Sequence, residues 1–259
     1  MSSKTIEEGK RMDAVRLASE VARLRAELTG YLTRLVARPA LAEELVQATY
    51  LKAHEALDRC PQEEVAARRW LFRIATNLAL DELRRHGNWR EEVVFDLRES
   101  AESDPEFVKR STELVASPEH SLIAKEHLAA CFSCTMRSFA PAKAGALLLK
   151  EVYGFSIEEI SELTGGTVNQ VKNWLQEARA SIEARYGRTC ALVTKNGVCH
   201  QCAELAGFFG VEASFKLPAT LAGRFETLRE LRAKAAGEWH RMLFALIDDD
   251  GNLVRRRGR

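Results

Sequence analysis

No stretch of about 18 consecutive apolar residues occurs in this 259-residue chain, and Met1 to Asp13 is polar and charged, without the apolar core of a secretory leader. Membrane insertion is therefore not expected, and a cytoplasmic protein is. Also missing are a phosphate-cradling glycine loop, a nucleophile elbow and a paired-histidine metal motif, so hydrolase and kinase readings rank low. A non-enzymatic protein is expected. Net charge is scarce as well: 38 Lys and Arg against 37 Asp and Glu leave +1, which excludes wholesale electrostatic capture of nucleic acid. A nucleic-acid surface has to be local.

The charge that is present is unevenly spread. Arg68 to Arg90 is rich in arginine, Glu91 to Glu126 is mainly acidic, and Arg255 to Arg259 is basic again. Within the first basic stretch, Leu71, Ile74, Ala75 and Leu78 recur at three- and four-residue spacing and predict the buried face of a helix. The opposite face carries Arg69, Arg73, Asn77 and Arg84, guanidinium groups that suit phosphates and an amide that suits a base edge. An ordinary solvated basic face fits the same pattern. Gly87 and Asn88 are read as the stop of this helix.

Upstream, Val15, Leu17, Val21, Leu24, Leu28, Leu32 and Leu35 predict a helix over about 13–37, broken at Arg38 and Pro39 because proline disfavours helix in the residue before it. A second helix is predicted over about 42–57, with Leu45, Val46, Thr49, Ala53 and Ala56 inward. Asp58 to Ala66, containing Cys60 and Pro61, is read as a loop. Residues 13–90 thus form a first helical domain. Weak periodicity and abundant acids, Ser and Pro over 91–120 predict a mobile acidic linker.

A second domain, 121–187, centres on a helix-turn-helix pattern from Phe155 to Leu175. Ser156 can cap its first helix, with Glu159 completing a capping box. Gly165 and Gly166 permit the turn, and Val168, Val171 and Leu175 form the buried stripe of the second helix. Thr167, Asn169, Gln170, Lys172, Asn173 and Gln176 are left to face a groove. The remaining residues, 188–259, form a partly helical extension, with a helix predicted from Phe225 to Ile247 and a turn at Asp249 to Asn252. The fold class expected is all-α: two small helical domains, a flexible linker and the extension.

Trp70-Leu-Phe-Arg-Ile-Ala-Thr-Asn77-Leu-Ala-Leu-Asp81-Glu-Leu-Arg-Arg85, preceded by Glu44-Leu-Val-Gln-Ala-Thr-Tyr-Leu-Lys-Ala-His54, resembles region 2 of the bacterial RNA polymerase sigma factors, in their small extracytoplasmic-function (ECF) class. The helix-turn-helix about 70 residues later resembles region 4. The resemblance covers about Ala42 to Arg179 and implies a sigma factor that binds core RNA polymerase and initiates transcription at chosen promoters. It implies that Arg69, Arg73, Asn77 and Arg84 engage the proximal (−10) promoter element. Thr167, Asn169, Gln170, Lys172 and Asn173 would then read the distal (−35) element, while Glu44, Gln47, Lys52 and Glu55 contact the polymerase clamp. An anti-sigma factor is a further partner that the resemblance allows. One departure stands out: Trp174 and Glu177 occupy positions on the recognition helix where basic side chains are usual, which predicts weaker phosphate contacts. A helix-turn-helix regulator that binds DNA without polymerase, or a polymerase-docking regulatory protein, are the alternatives.

Cysteines number six. Cys131-Phe-Ser-Cys134 and Cys199-His-Gln-Cys202 have the two-residue spacing that lets both sulfurs of a pair meet one metal, as in thiolate zinc sites. Their separation of about 64 residues is long for a compact zinc module. A structural zinc, a copper(I) or redox-responsive thiol switch, and plain reduced thiols in a core all fit this pattern. Sigma activity itself is expected to require no cofactor.

Overall fold

The computed structural model describes residues 14–90, 92–115, 120–189, 218, 220–234 and 236–254. Among them the architecture is all-α: α1 (Ala14–Val36), α2 (Pro39–Glu55), α3 (Glu64–Arg85), α4 (Val93–Glu102), α5 (Pro105–Val115), α6 (His120–Arg137), α7 (Pro141–Glu151), α8 (Ile157–Thr164), α9 (Val168–Thr189), α10 (Leu221–Glu230) and α11 (Glu238–Phe244). The predicted break after α1 is made by Ala37, whose left-handed φ of 57° turns the chain before Pro39 opens α2 at its first position. Such a backbone costs an L-residue about 1–2 kcal/mol. Here it is held within a buried core.

Helix α3 starts where the Glu63 carboxylate accepts hydrogen bonds from the amides of Val65 and Ala66, at 3.1 and 2.8 Å. Those two bonds hold the Glu63 carboxyl below its usual range. The helix stops differently from the prediction: His86 turns to an extended backbone (φ −105°, ψ 142°), and Gly87 does not adopt a left-handed cap. More of α3 is buried than one amphipathic face provides. Besides Leu71 and Ala75, the residues Phe72, Thr76, Ala79 and Leu80 are buried, whereas Ile74 and Leu78 are only partly covered.

Part of that extra burial comes from the second domain. Phe72 lies 5.6 Å from Tyr153 and 5.1 Å from Phe155, ring centre to ring centre, and Tyr31 of α1 meets Tyr153 edge-on at 5.3 Å. The Tyr31 hydroxyl is 3.0 Å from Thr76 Oγ1 in the same core. Leu17 to Leu35 of α1, Phe72 and Ala75 of α3, Leu147 to Leu149 of α7, Ile160 of α8 and Val171 to Ile182 of α9 belong to one apolar cluster. Two domains expected to move independently therefore share a core.

Much of the segment read as a mobile linker is helical, as α4 and α5. Val93, Leu97 and Ala101 recur every four residues amid the acids, forming a narrow apolar stripe on α4, and Phe107 adds to it from α5. This stripe packs with Trp89, Ala130, Cys134 and the C-terminal Leu243, Phe244, Leu246 and Ile247 in a second core. The helix predicted from Phe225 to Ile247 forms as two, α10 and α11, because Gly237 caps the second and comes so close to the Glu126 carboxylate that a Cβ would overlap it. Beyond α11, Asp248 accepts from the amides of Asp250 and Asn252 in the predicted turn, with Gly251 at a φ of 83°. Gly251 lies against the Trp89 indole, which leaves no room for a Cβ, and Trp89 Nε1 donates to the Asp249 carbonyl at 3.0 Å.

Candidate nucleic-acid interface

On the outer side of α3, Arg73 and Asn77 are exposed, one turn apart, and among the described residues neither side chain makes a hydrogen bond or ion pair. Arg84 continues the row but is tied to Asp81 at 2.8 Å. Arg69, at its N-terminal end, is drawn to the first helix of the helix-turn-helix, 3.5 Å from Glu159 and 3.9 Å from Glu162. The row can offer a guanidinium to a phosphate and an amide to a base edge from Arg73 and Asn77 as it stands. Arg69 must first leave its carboxylates.

The helix-turn-helix is built as the residue pattern predicts. Ser156 Oγ accepts from the Glu159 amide at 3.1 Å while Glu159 accepts from the Ser156 amide at 2.8 Å. Gly165 ends α8 with φ 73°, the left-handed geometry a tight turn needs. Gly166 serves a different purpose, since a Cβ there would lie 2.6 Å from the Trp174 ring. Trp174 thus folds back onto the turn and the core. It occupies a position expected to be basic because it braces the two helices.

A second capping box opens α9: Gln170 Oε1 accepts from the Thr167 amide at 2.8 Å, and Thr167 Oγ1 accepts from the Gln170 amide at 3.2 Å. Two of the predicted groove residues are engaged in starting the helix, and Gln170 keeps only its side-chain NH2 free to donate. Asn169, Lys172, Asn173 and Gln176 are exposed on the same side of α9. Glu177 is paired with Lys143 of α7 at 2.5 Å, so part of its negative charge is neutralised.

On α2, Glu44, Gln47, Lys52 and Glu55 all point to solvent. Sequence reasoning overlooked their apolar neighbour Leu51, 59% exposed on the same helix. It flanks an open groove of about 450 Å³ between α1 and α2, lined by Val21, Ala22, Val46 and Tyr50. An apolar residue at an outward position of α2 was the available signal. Between α2 and α3, the predicted loop contains a short 3-10 turn, Leu57–Arg59, and buries Cys60, whose thiol burial pushes up.

Cys131 and Cys134 both lie on α6, but Cys134 is buried in the core around Trp89 whereas Cys131 packs against the larger core. Cys199 and Cys202 fall outside the described residues. Among the described residues no group of three or more His, Cys, Asp or Glu side chains gathers as a metal site would require.

The Sigma-70 region 2 family matches residues 21–89, and the Sigma-70 region 4 family matches residues 136–182. Over 167 residues the chain is 30% identical to the ECF RNA polymerase sigma-E factor of Haemophilus influenzae, covering 63% of this chain and 83% of that protein. It is 29% identical over 171 residues to the ECF RNA polymerase sigma factor SigG of Mycobacterium tuberculosis, and 28% identical over 159 residues to the RNA polymerase sigma-H factor of Pseudomonas aeruginosa. Those matches cover 61% of this chain each, with 45% of SigG and 79% of sigma-H, so the chain spans less than half of the SigG protein. The region-2 match contains the Arg73 and Asn77 row, the region-4 match contains the capped turn and α9, and the chain belongs to the ECF RNA polymerase sigma factors of the sigma-70 family.

Proposed function

We propose that the chain is a non-enzymatic, reversible subunit of RNA polymerase that directs the core enzyme to specific promoters and initiates transcription there. The observation that carries this reading is the presence, on one chain, of two solvent-facing polar rows on separate helices of the matched regions: Arg73 and Asn77 on α3, and Asn169, Lys172 and Asn173 on α9. In this reading α9 lies in the major groove of the distal element, where exposed amides can meet base edges. The α3 row engages the proximal element, its arginines positioning phosphates and Asn77 contacting a base. The outward face of α2, with Glu44, Gln47, Lys52 and Glu55 beside the exposed Leu51, docks on the polymerase. No bond is made or broken by the subunit itself.

Transcription in vitro with core RNA polymerase and a library of genomic fragments, read out as mapped start sites, tests this. Discrete start sites that need both components are expected. Sequence-specific DNA binding without any effect on polymerase would replace the reading with a conventional helix-turn-helix regulator. The four-cysteine clasp of Cys131, Cys134, Cys199 and Cys202 is a separate proposal, supported by spacing. Elemental analysis of full-length protein purified without chelator decides it, and the absence of bound zinc or copper dismisses it.

A further inference from the structure

Residues 229–232, at and just beyond the end of α10, touch both DNA-reading units at once. On the side of the first unit, Arg34 of α1 donates to the Leu231 carbonyl at 2.5 Å. Gly30, one turn earlier, lies so close to the Arg232 carbonyl that a Cβ would stand 2.1 Å from its oxygen. On the side of the second unit, the Tyr153 hydroxyl donates to that same Arg232 carbonyl at 3.2 Å, and Arg229 donates to the Glu151 carbonyl at 2.6 Å. The segment is anchored behind by Phe225 and Leu228, both buried in the shared core, with Phe225 edge-on to Phe132 at 5.6 Å.

We propose that the segment 221–232 is a strap that holds the region-2 and region-4 units shut on each other, so that the free protein rests in a closed form that must open before both units can engage DNA. Two observations say that the closed form is unready. Arg69 on the α3 row is matched to Glu159 and Glu162 of α8, so carboxylates stand where phosphates would have to come. And helices in packing contact have axes about 8–10 Å apart, far less than the ~34 Å of one DNA turn, so α3 and α8 in contact hold their units too close to serve two separate elements of one duplex. The closing contacts are largely main-chain carbonyls of the strap received by Arg34, Tyr153 and the gap at Gly30. The strap side chains that reach across are Arg229, on Glu151, and Arg232, 3.9 Å from Glu27 of α1.

This inference rests on the sigma-subunit reading for its meaning but not for its test. In the full-length chain, Gly30→Ala improves the intrinsic helix propensity of α1 while its methyl occupies the place of the Arg232 carbonyl, and Arg229→Ala removes the hold on Glu151 from a partly exposed position. Small-angle scattering and amide hydrogen exchange are measured for both variants and the parent. The expected result is loss of protection over 221–230 together with α3 and α8, a larger radius of gyration, and core polymerase binding tighter by about 5- to 150-fold, the usual range for coupling between two states. Exchange that frees 221–230 while α3 and α8 stay protected at the parent's radius overturns the proposal. So does a parent-like radius and exchange pattern in both variants. If one variant loses its helical circular dichroism, the other carries the test. Should no form of the protein, parent included, bind polymerase, the sigma reading fails while the scattering and exchange results still decide the strap.

Discussion

Arg68 on α3 donates a hydrogen bond to the carbonyl of Tyr153, 85 residues later, at 3.2 Å. The same guanidinium meets Glu27 at 2.9 Å and sits over the rings of Phe72 and Phe155, 4.8 and 4.5 Å from their centres. One planar cation thus connects α1, α3 and the turn before α8. Its bonds and ring contacts together suit arginine better than lysine, whose ammonium is a point donor. Arg68→Ala is expected to lower stability by about 1–3 kcal/mol, and Arg68→Lys to lose part of that. Urea unfolding of the two variants measures both values; no change in either would show that the junction stands on apolar packing alone.

Asn77→Ala is expected to reduce promoter opening at some promoters far more than others while leaving core binding intact. A base-edge contact is worth about 1–3 kcal/mol. Arg73→Ala should weaken all promoters more evenly and flatten the dependence on salt, as loss of a phosphate contact does. Permanganate footprinting across several start sites separates the two patterns, and equal loss of core binding in both variants would indicate misfolding.

On α9, exchange of Asn169, Lys172 and Asn173 is expected to shift preference at the distal element. Thr167→Ala should instead cost about 1 kcal/mol of stability, because its hydroxyl starts the helix. Promoter profiles and thermal melts of the two sets distinguish reading from capping. An unchanged profile after all three exchanges removes α9 from the groove and favours a docking role.

A pH dependence follows from His240. Burial, with Arg34, Arg241 and His127 adding like charge, lowers its pKa to about 3, whereas an unfolded chain holds it near about 6.5. Below about 6.5 the unfolded chain binds the proton and the folded chain does not, so stability is full above that pH and falls as pH drops toward 3. The expected slope from this residue is about 1.4 kcal/mol per pH unit within that window. Urea midpoints between pH 7 and 4 should fall less steeply for His240→Phe than for the parent. Parallel curves would mean that the ring is protonated in the fold.

Local chemistry was legible in the residues, and distant packing was not. The Ser156 and Glu159 box, the turn at Gly165 and the buried Val171 and Leu175 each depend on neighbours within one or two turns and are present as read, whereas Val168, expected in the same stripe, is only half-buried. The Thr167 and Gln170 box uses the same three-residue signature and was open to the same reasoning. Phe72 is another matter: it packs among Tyr31, Tyr153 and Phe155, distant partners that no periodicity within α3 can announce. The stripe of Val93, Leu97 and Ala101 is so narrow, and so surrounded by acids, that composition concealed a helix. The break between α10 and α11 answers to Glu126 on a distant helix. At the interface, exposure of Arg73 and Asn77 followed from the pattern, whereas the capture of Arg69 by α8 is a product of the tertiary fold.

The buried guanidinium of Arg34 has a consequence for the order of events on the ribosome. It is only 3% exposed, and its hydrogen bonds go to Gly30, Tyr153 and Leu231, which lie in three successive parts of the chain. A buried charged donor short of a partner is costly. The bond to Leu231 spans 197 residues. At about 5–20 residues per second, the α1–α3 unit leaves the ribosome several seconds before this carbonyl exists, so a partner for a side chain inside α1 is made long after the helix that carries it.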